Sequence, residues 1–221
     1  TDIGIGASGA VFATSTDRGL MCFNNAAKTF VLASSGNNSR VAVAADGAPT
    51  VIDANGKVQR FERLTRQWRI VPNFTGVDIS YGPDGQLWAA SNTGSVYRYN
   101  AAVDGFDLEP VVTSDVSFRA RRVAGAGPVS GGRAFWVVTE QSQLVRCEKG
   151  DCRVLLTGAI DAAVAPDNTL FALDLLGNVQ RYDTAKKTFE KQNGTGSAIA
   201  VGPGGLPWLV NQVAKIDSSG I

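Results

Sequence analysis

Six copies of one turn-and-strand pattern, an absence of helical periodicity and a raised glycine count together predict an all-β chain. The expected architecture is a single six-bladed β-propeller, with about four antiparallel strands per blade and an incomplete last blade. The pattern is clearest where Val41-Ala-Val-Ala-Ala-Asp-Gly-Ala-Pro-Thr50 aligns with Ile79-Ser-Tyr-Gly-Pro-Asp-Gly-Gln-Leu-Trp88. Ala163–Phe171, Ile199–Trp208 and Ile3–Phe12 repeat it, and Val123–Trp136 is a divergent copy. The shared turn falls at Gly9, Gly47, Gly85, Gly132, Asn168 and Gly205, spaced 38, 38, 47, 36 and 37 residues apart.

Each copy opens with a strand of small residues, expected where inner strands crowd around a channel. A turn follows that needs positive φ, which glycine supplies without a Cβ clash. The second strand starts at Phe12, Thr50, Trp88, Trp136, Phe171 or Trp208. A second turn leads into a third strand: Leu20–Phe23, Val58–Phe61, Val96–Tyr99, Leu144–Cys147 or Val179–Tyr182. Outer strands are expected at Thr29–Ala33, Trp68–Val71, Asp107–Val111, Cys152–Leu156 and Thr188–Lys191. Copy six shows no clear fourth strand after Val213–Ile216. No linker divides the chain, so residues 1–221 form one domain, with copies at about 1–39, 40–76, 77–118, 119–159, 160–197 and 198–221.

Composition narrows the function. Lys plus Arg is 21 against 20 Asp plus Glu, a net charge of +1 that argues against nucleic acid, whose phosphates need a basic excess. No apolar run is long enough to span a membrane as a helix. There is no histidine, which removes the commonest general base and every His-ligated metal site. Neither a Gly-x-Ser-x-Gly elbow nor a phosphate-binding loop is present, so no enzyme activity is expected. Cys147 and Cys152 flank a predicted hairpin turn and lie within disulfide reach; the alternative is two reduced thiols. A disulfide favours an oxidising compartment, and the start at Thr1-Asp2 fits a processed product or a trimmed chain, so a secreted or periplasmic location is expected. Cys22 reads as a small buried hydrophobe.

At Ile79–Tyr99, echoed in Val41–Phe61, Ala163–Tyr182 and Ile199–Trp208, the chain resembles the tectonin-repeat family of β-propeller proteins. It departs from that pattern at Thr50 and Phe171, where the family favours Trp, and at the insertion around Gly125–Gly131. The resemblance implies carbohydrate binding, since many such proteins are lectins that recognise surface glycans. The alternative is a protein-interaction scaffold in an exported complex, docking at Ala124–Arg133. Partners are then glycans or a protein, and the chain is expected to be a monomer.

Candidate sites follow from the repeats, each with a structural alternative. Trp68 begins an outer strand and could stack on a sugar or merely cover a blade edge. Asn55, Asn92, Asp174 and Asn178 place short polar side chains on the second turns, where they suit sugar hydroxyls and turn geometry alike. Trp88, Trp136 and Trp208 are expected to pack between blades. Arg60, Arg98, Arg146, Arg181 and Lys215 recur in the third strand and are expected to satisfy carbonyls or carboxylates structurally. Asp2, Asp78 and Asp161 start the inner strands of copies one, three and five. There they could hold a hard cation such as Ca²⁺ through oxygens, or pair with arginine and cap the strand start.

Overall fold

The computed structural model of the chain describes residues 2–15, 17, 19–111, 118–125 and 134–211. The expected Gly132 turn, the insertion of copy four and Lys215 lie outside them. All regular elements among the described residues are strands, joined by turns.

Copy one forms β1 (Ile3–Ile5), β2 (Val11–Ser15), β3 (Gly19–Asn24) and β4 (Thr29–Ser34). Copy two forms β5 (Asn38–Val43), β6 (Pro49–Asp53) and β7 (Lys57–Glu62), followed by β8 (Gln67–Tyr81). Copy three continues with β9 (Leu87–Ser91), β10 (Val96–Asn100) and β11 (Gly105–Leu108). Copy four is β12 (Ala120–Gly125), β13 (Ala134–Thr139), β14 (Gln143–Glu148) and β15 (Asp151–Thr157). Copy five is β16 (Ala159–Val164), β17 (Leu170–Asp174), β18 (Asn178–Asp183) and β19 (Thr188–Thr195). Copy six contributes β20 (Ala198–Val201) and β21 (Pro207–Val210).

Copies one, four and five are four-stranded antiparallel meanders. Copies two and three share one seven-stranded sheet because β8 runs through both. Its first part pairs with β7 up to Thr75, and its second part pairs with β9 from Gly76. The outer strand of copy three, β11, ends at Leu108 rather than reaching Val111. Its turn comes early, with Asp104 at φ 48° and Gly105 opposite Asn100, and Pro110 offers no donor for a longer ladder.

The repeated turn is the same at all five described positions. The backbone N–H of Gly9, Gly47, Gly85, Asn168 or Gly205 donates to the carbonyl three residues earlier, at 2.9 Å. All five residues have positive φ, including Asn168 at 66°.

First strands of successive copies lie side by side. β1 contacts β5, β5 contacts β8, β8 contacts β12, β12 contacts β16, β16 contacts β20 and β20 contacts β1. Small residues are needed here: a Cβ on Gly4 would sit 2.8 Å from the Val41 carbonyl oxygen. Apolar clusters fill the seams between copies. Trp88 and Phe135 meet between copies three and four with ring centroids 5.1 Å apart. Ile3 and Val11 meet Ala198 and Ala200 between copies one and six. Trp88 and Trp136 are thus buried between sheets, as the repeat implied, whereas Trp208 keeps 40% of its surface exposed. Gly125 must lack a side chain, since its Cβ would come 2.4 Å from Trp88 Cδ1.

Cys147 and Cys152 face each other across β14 and β15 and are joined in a disulfide, with Cα atoms 4.1 Å apart. Cys22 is free and half-buried. Replacing both disulfide cysteines by serine is expected to cost about 2 kcal/mol, the loop-closure entropy of so short a ring, and to lower Tm by roughly 4–8 °C. A melting curve unchanged by dithiothreitol would refute that contribution.

Candidate functional site

The first strands enclose a central channel whose wall alternates in charge. Asp2 Oδ2 accepts the Val41 N–H at 2.9 Å, Asp78 Oδ2 accepts that of Val123 at 2.8 Å, and Asp161 Oδ2 accepts that of Ile199 at 3.0 Å. Each carboxylate of an odd-numbered copy therefore holds the first strand of the next copy. The position just before the held amide is Arg40 in copy two, Arg122 in copy four and Ala198 in copy six. Arg40 Nε lies 3.1 Å from Asp78 Oδ1, and Arg122 Nε lies 3.6 Å from Asp161 Oδ1. Read around the channel, the sequence is Asp, Arg, Asp, Arg, Asp, Ala.

Three carboxylates thus share two guanidiniums from these positions, with Arg121 at the edge of the set. Its guanidinium donates to the Ile160 carbonyl at 3.3 Å. The arginine pairing named as the alternative for these carboxylates is present at Arg40 and Arg122. Among the described residues no group of three His, Cys, Asp or Glu side chains is placed to hold a metal ion. Burial pushes Asp78 up to about 6 and Asp161 up to about 7, against the lowering pull of Arg122 on both. Burial also raises Asp2, opposed chiefly by Arg40.

This acid end of the channel has a cavity of about 80 Å³. The opposite end, about 100 Å³, is rimmed by Pro83, Pro166 and Pro203 with Tyr81 beside them. The two ends differ because the first strands of copies one to five begin with Asp or Arg, whereas those of copies three, five and six finish in Gly82-Pro83, Ala165-Pro166 and Gly202-Pro203.

A second cavity, about 260 Å³, lies between copies one and two. Its walls are the Ser34–Asn38 segment leaving β4, the Asp53–Asn55 turn, Gln59 and Trp68. Trp68 is half-buried, rests against the Leu20, Val41, Val43 and Val51 cluster and meets Phe61 edge-on at 5.4 Å. Asp53 fixes its own turn by accepting the N–H groups of Asn55 and Lys57 and the Gln59 amide. The cavity therefore joins one aromatic wall to several short polar side chains.

Trp68 and Asn55 come together in this way. Asn92, Asp174 and Asn178 belong to the corresponding turns of other copies and do not line it. Asp174 accepts the backbone N–H groups of Leu176 and Asn178 and the side-chain amides of Asn178 and Gln180. Burial raises its carboxyl, but these hydrogen bonds together hold it below the usual range. The Asn92 carbonyl accepts from Arg119 at 3.3 Å. A wider cleft of about 360 Å³ beside Leu175, Leu176 and Asn211 is lined by neither Asp174 nor Asn178.

Arg60, Arg98 and Arg146 of the third strands have structural partners, whereas Arg181 is exposed. Arg60 lies 4.3 Å over the Tyr99 ring and donates to its hydroxyl at 2.6 Å. Arg146 pairs with Glu148 at 2.8 Å, and Arg98 lies 3.7 Å from Glu109. Arg40 and Arg122 were not among the predicted site residues. Their common place just before Val41-Ala42 and Val123-Ala124, alternating with the aspartates, is the signal that identifies them.

No protein-family model matches the sequence, and no curated protein matches it. Solved structures do. One is a virginiamycin B lyase from Staphylococcus aureus with quinupristin, in a catalytically inactive histidine-to-alanine form. The identity is 16% and the TM-score 0.60, covering 90% of this chain and 73% of that one. Another is the extracellular domain of a one-component system from B. thetaiotaomicron, at 15% identity and a TM-score of 0.64; this chain spans 95% of its own length and 31% of that protein's. At these identities the likeness is one of fold.

The channel charges make stability depend on pH. Unfolded Asp titrates near about 3.9, so raised folded values mean that folding takes up protons. The stabilisation is complete below about pH 4 and is lost as pH rises through about 6 and 7. At constant ionic strength, Tm is expected to fall between about pH 5 and about pH 8. Asp161→Asn, which keeps an acceptor oxygen without the charge, is expected to flatten that slope. An equally steep slope in the variant would contradict this assignment.

Proposed function

We propose that the chain is a six-bladed β-propeller, closed where β20 meets β1, that binds neutral carbohydrate in the cavity walled by Trp68. The observation that carries the reading is the composition of that cavity. An indole supplies an apolar face for a sugar ring. Ser, Asn, Asp and Gln side chains around it offer the paired donors and acceptors that vicinal hydroxyls need. The resemblance of the repeat to tectonin lectins supports the same reading.

A binding role also fits the chemistry that the chain lacks. The lyase neighbour is inactive as a histidine-to-alanine variant, and this sequence has no histidine. The disulfide and the extracellular neighbour support export.

Folded protein on a glycan array is expected to retain neutral or N-acetylated sugars. Trp68→Ala abolishes the retention, and Asn55→Ala weakens it by about 3- to 10-fold, the loss of one or two hydrogen bonds. Trp68 also supports core, so unchanged melting of Asn55→Ala is the control for folding. An empty array would reject the reading, and capture of one protein insensitive to competing sugar would favour the scaffold alternative.

A further inference from the structure

The outer strand of copy one differs from the other outer strands. β4 reads Thr29-Phe-Val-Leu-Ala-Ser34 and carries no charge. Among the described residues it is the last strand of its sheet, and Phe30, Val31 and Leu32 are 37%, 42% and 59% exposed. The other outer strands each carry charge: Arg69 on β8, Asp107 on β11, Asp151 and Arg153 on β15, Glu190 and Lys191 on β19. Charged residues on edge strands are the usual protection against pairing with another chain. β4 alone lacks it among the described outer strands.

We propose that β4 is a dimerisation edge that pairs antiparallel with β4 of a second copy about a two-fold axis. The sequence is self-complementary in such a pairing. A two-fold axis perpendicular to the sheet must pass beside a residue that faces its own image, and centring it on Val31 decides every other pair. Phe30 of each copy then lies opposite Leu32 of the other, so four large apolar side chains cluster on one face. On the other face Val31 meets Val31, and Thr29 reaches the bulge at Ala33, the residue that β3 leaves unpaired between Leu32 and Ser34. Lys28 lies opposite Ser34, so no like charges are opposed. Aromatic–aliphatic cross-strand pairs of this kind are stabilising, and a two-fold contact closes at the dimer. Phe30 is backed by Phe23 at 5.3 Å, and Phe23 in turn by Trp208 at 6.0 Å, so the edge is held by rings from two sheets. A second copy fits this edge better than an unrelated strand because the same uncharged residues, Thr29–Ala33, satisfy both sides.

β4 ends at Ser34, a wall of the Trp68 cavity. Antiparallel pairing sets the two Ser34 residues about 20 Å apart, six residue steps along the strand, with the cavities toward opposite ends of the dimer. On the carbohydrate reading, which this consequence alone rests on, the dimer cross-links two glycans.

Sedimentation velocity over a concentration series is expected to show a monomer–dimer equilibrium. Val31→Lys and Leu32→Lys weaken dimerisation by about tenfold or more, since the first opposes two lysines across the axis and the second sets a lysine against Phe30 of the other copy, while melting stays unchanged. Leu64→Lys, on a fully exposed turn away from β4, leaves the dimer intact. A monomer at every concentration, growth beyond the dimer, or a dimer that persists in both β4 variants would overturn the proposal. A dimer that agglutinates no glycan-coated bead would leave the edge assignment standing and count against the carbohydrate reading.

Discussion

A sheet aimed at a common centre presents an edge strand there, and an edge strand has backbone donors with no ladder partner. Those groups cannot be left bare when the next sheet covers them. The aspartates at the start of β1, β8's second part and β16 answer that constraint. Each accepts an amide from the following first strand, at Val41, Val123 or Ile199. The solution places charge in a poorly solvated channel, and Arg40 and Arg122 offset it only in part. The small residues of the channel wall and the acid end of its cavity follow from this one arrangement.

Much of the fold could be read from spacing. Five turn positions aligned by sequence all have positive φ, and the aligned Asn168 behaves as the glycines do. Trp88 and Trp136 lie between sheets because second-strand residues face a neighbour. The disulfide followed from two cysteines flanking one turn. Spacing did not reveal that β8 belongs to two sheets, because strand continuity depends on the angle between copies rather than on composition. It placed β11 too late, since the αL conformation at Asp104 is not marked by glycine.

The sites were less legible, for a physical reason. The aspartates could be singled out, but their arginine partners lie about forty residues away, joined only when copies stack. The Trp68 cavity likewise takes one wall from copy one and the others from copy two. Trp68 and Asn55 were identifiable singly as residue types. That Asn37, Asn38 and Ser34 join them depends on how β4 leads into β5. Asp174 shows the opposite case: a polar turn residue whose oxygens are occupied by its own loop.

The shared strand β8 has a consequence for how the molecule comes apart. Copies two and three are welded by one continuous backbone with ladders on both of its sides, so neither can fray without disturbing the other. Among the described residues, copies one and six meet through side chains and the packing of β20 on β1. Local opening that separates copy two from copy three must therefore break a continuous strand, whereas separating copy six from copy one need disturb only packing.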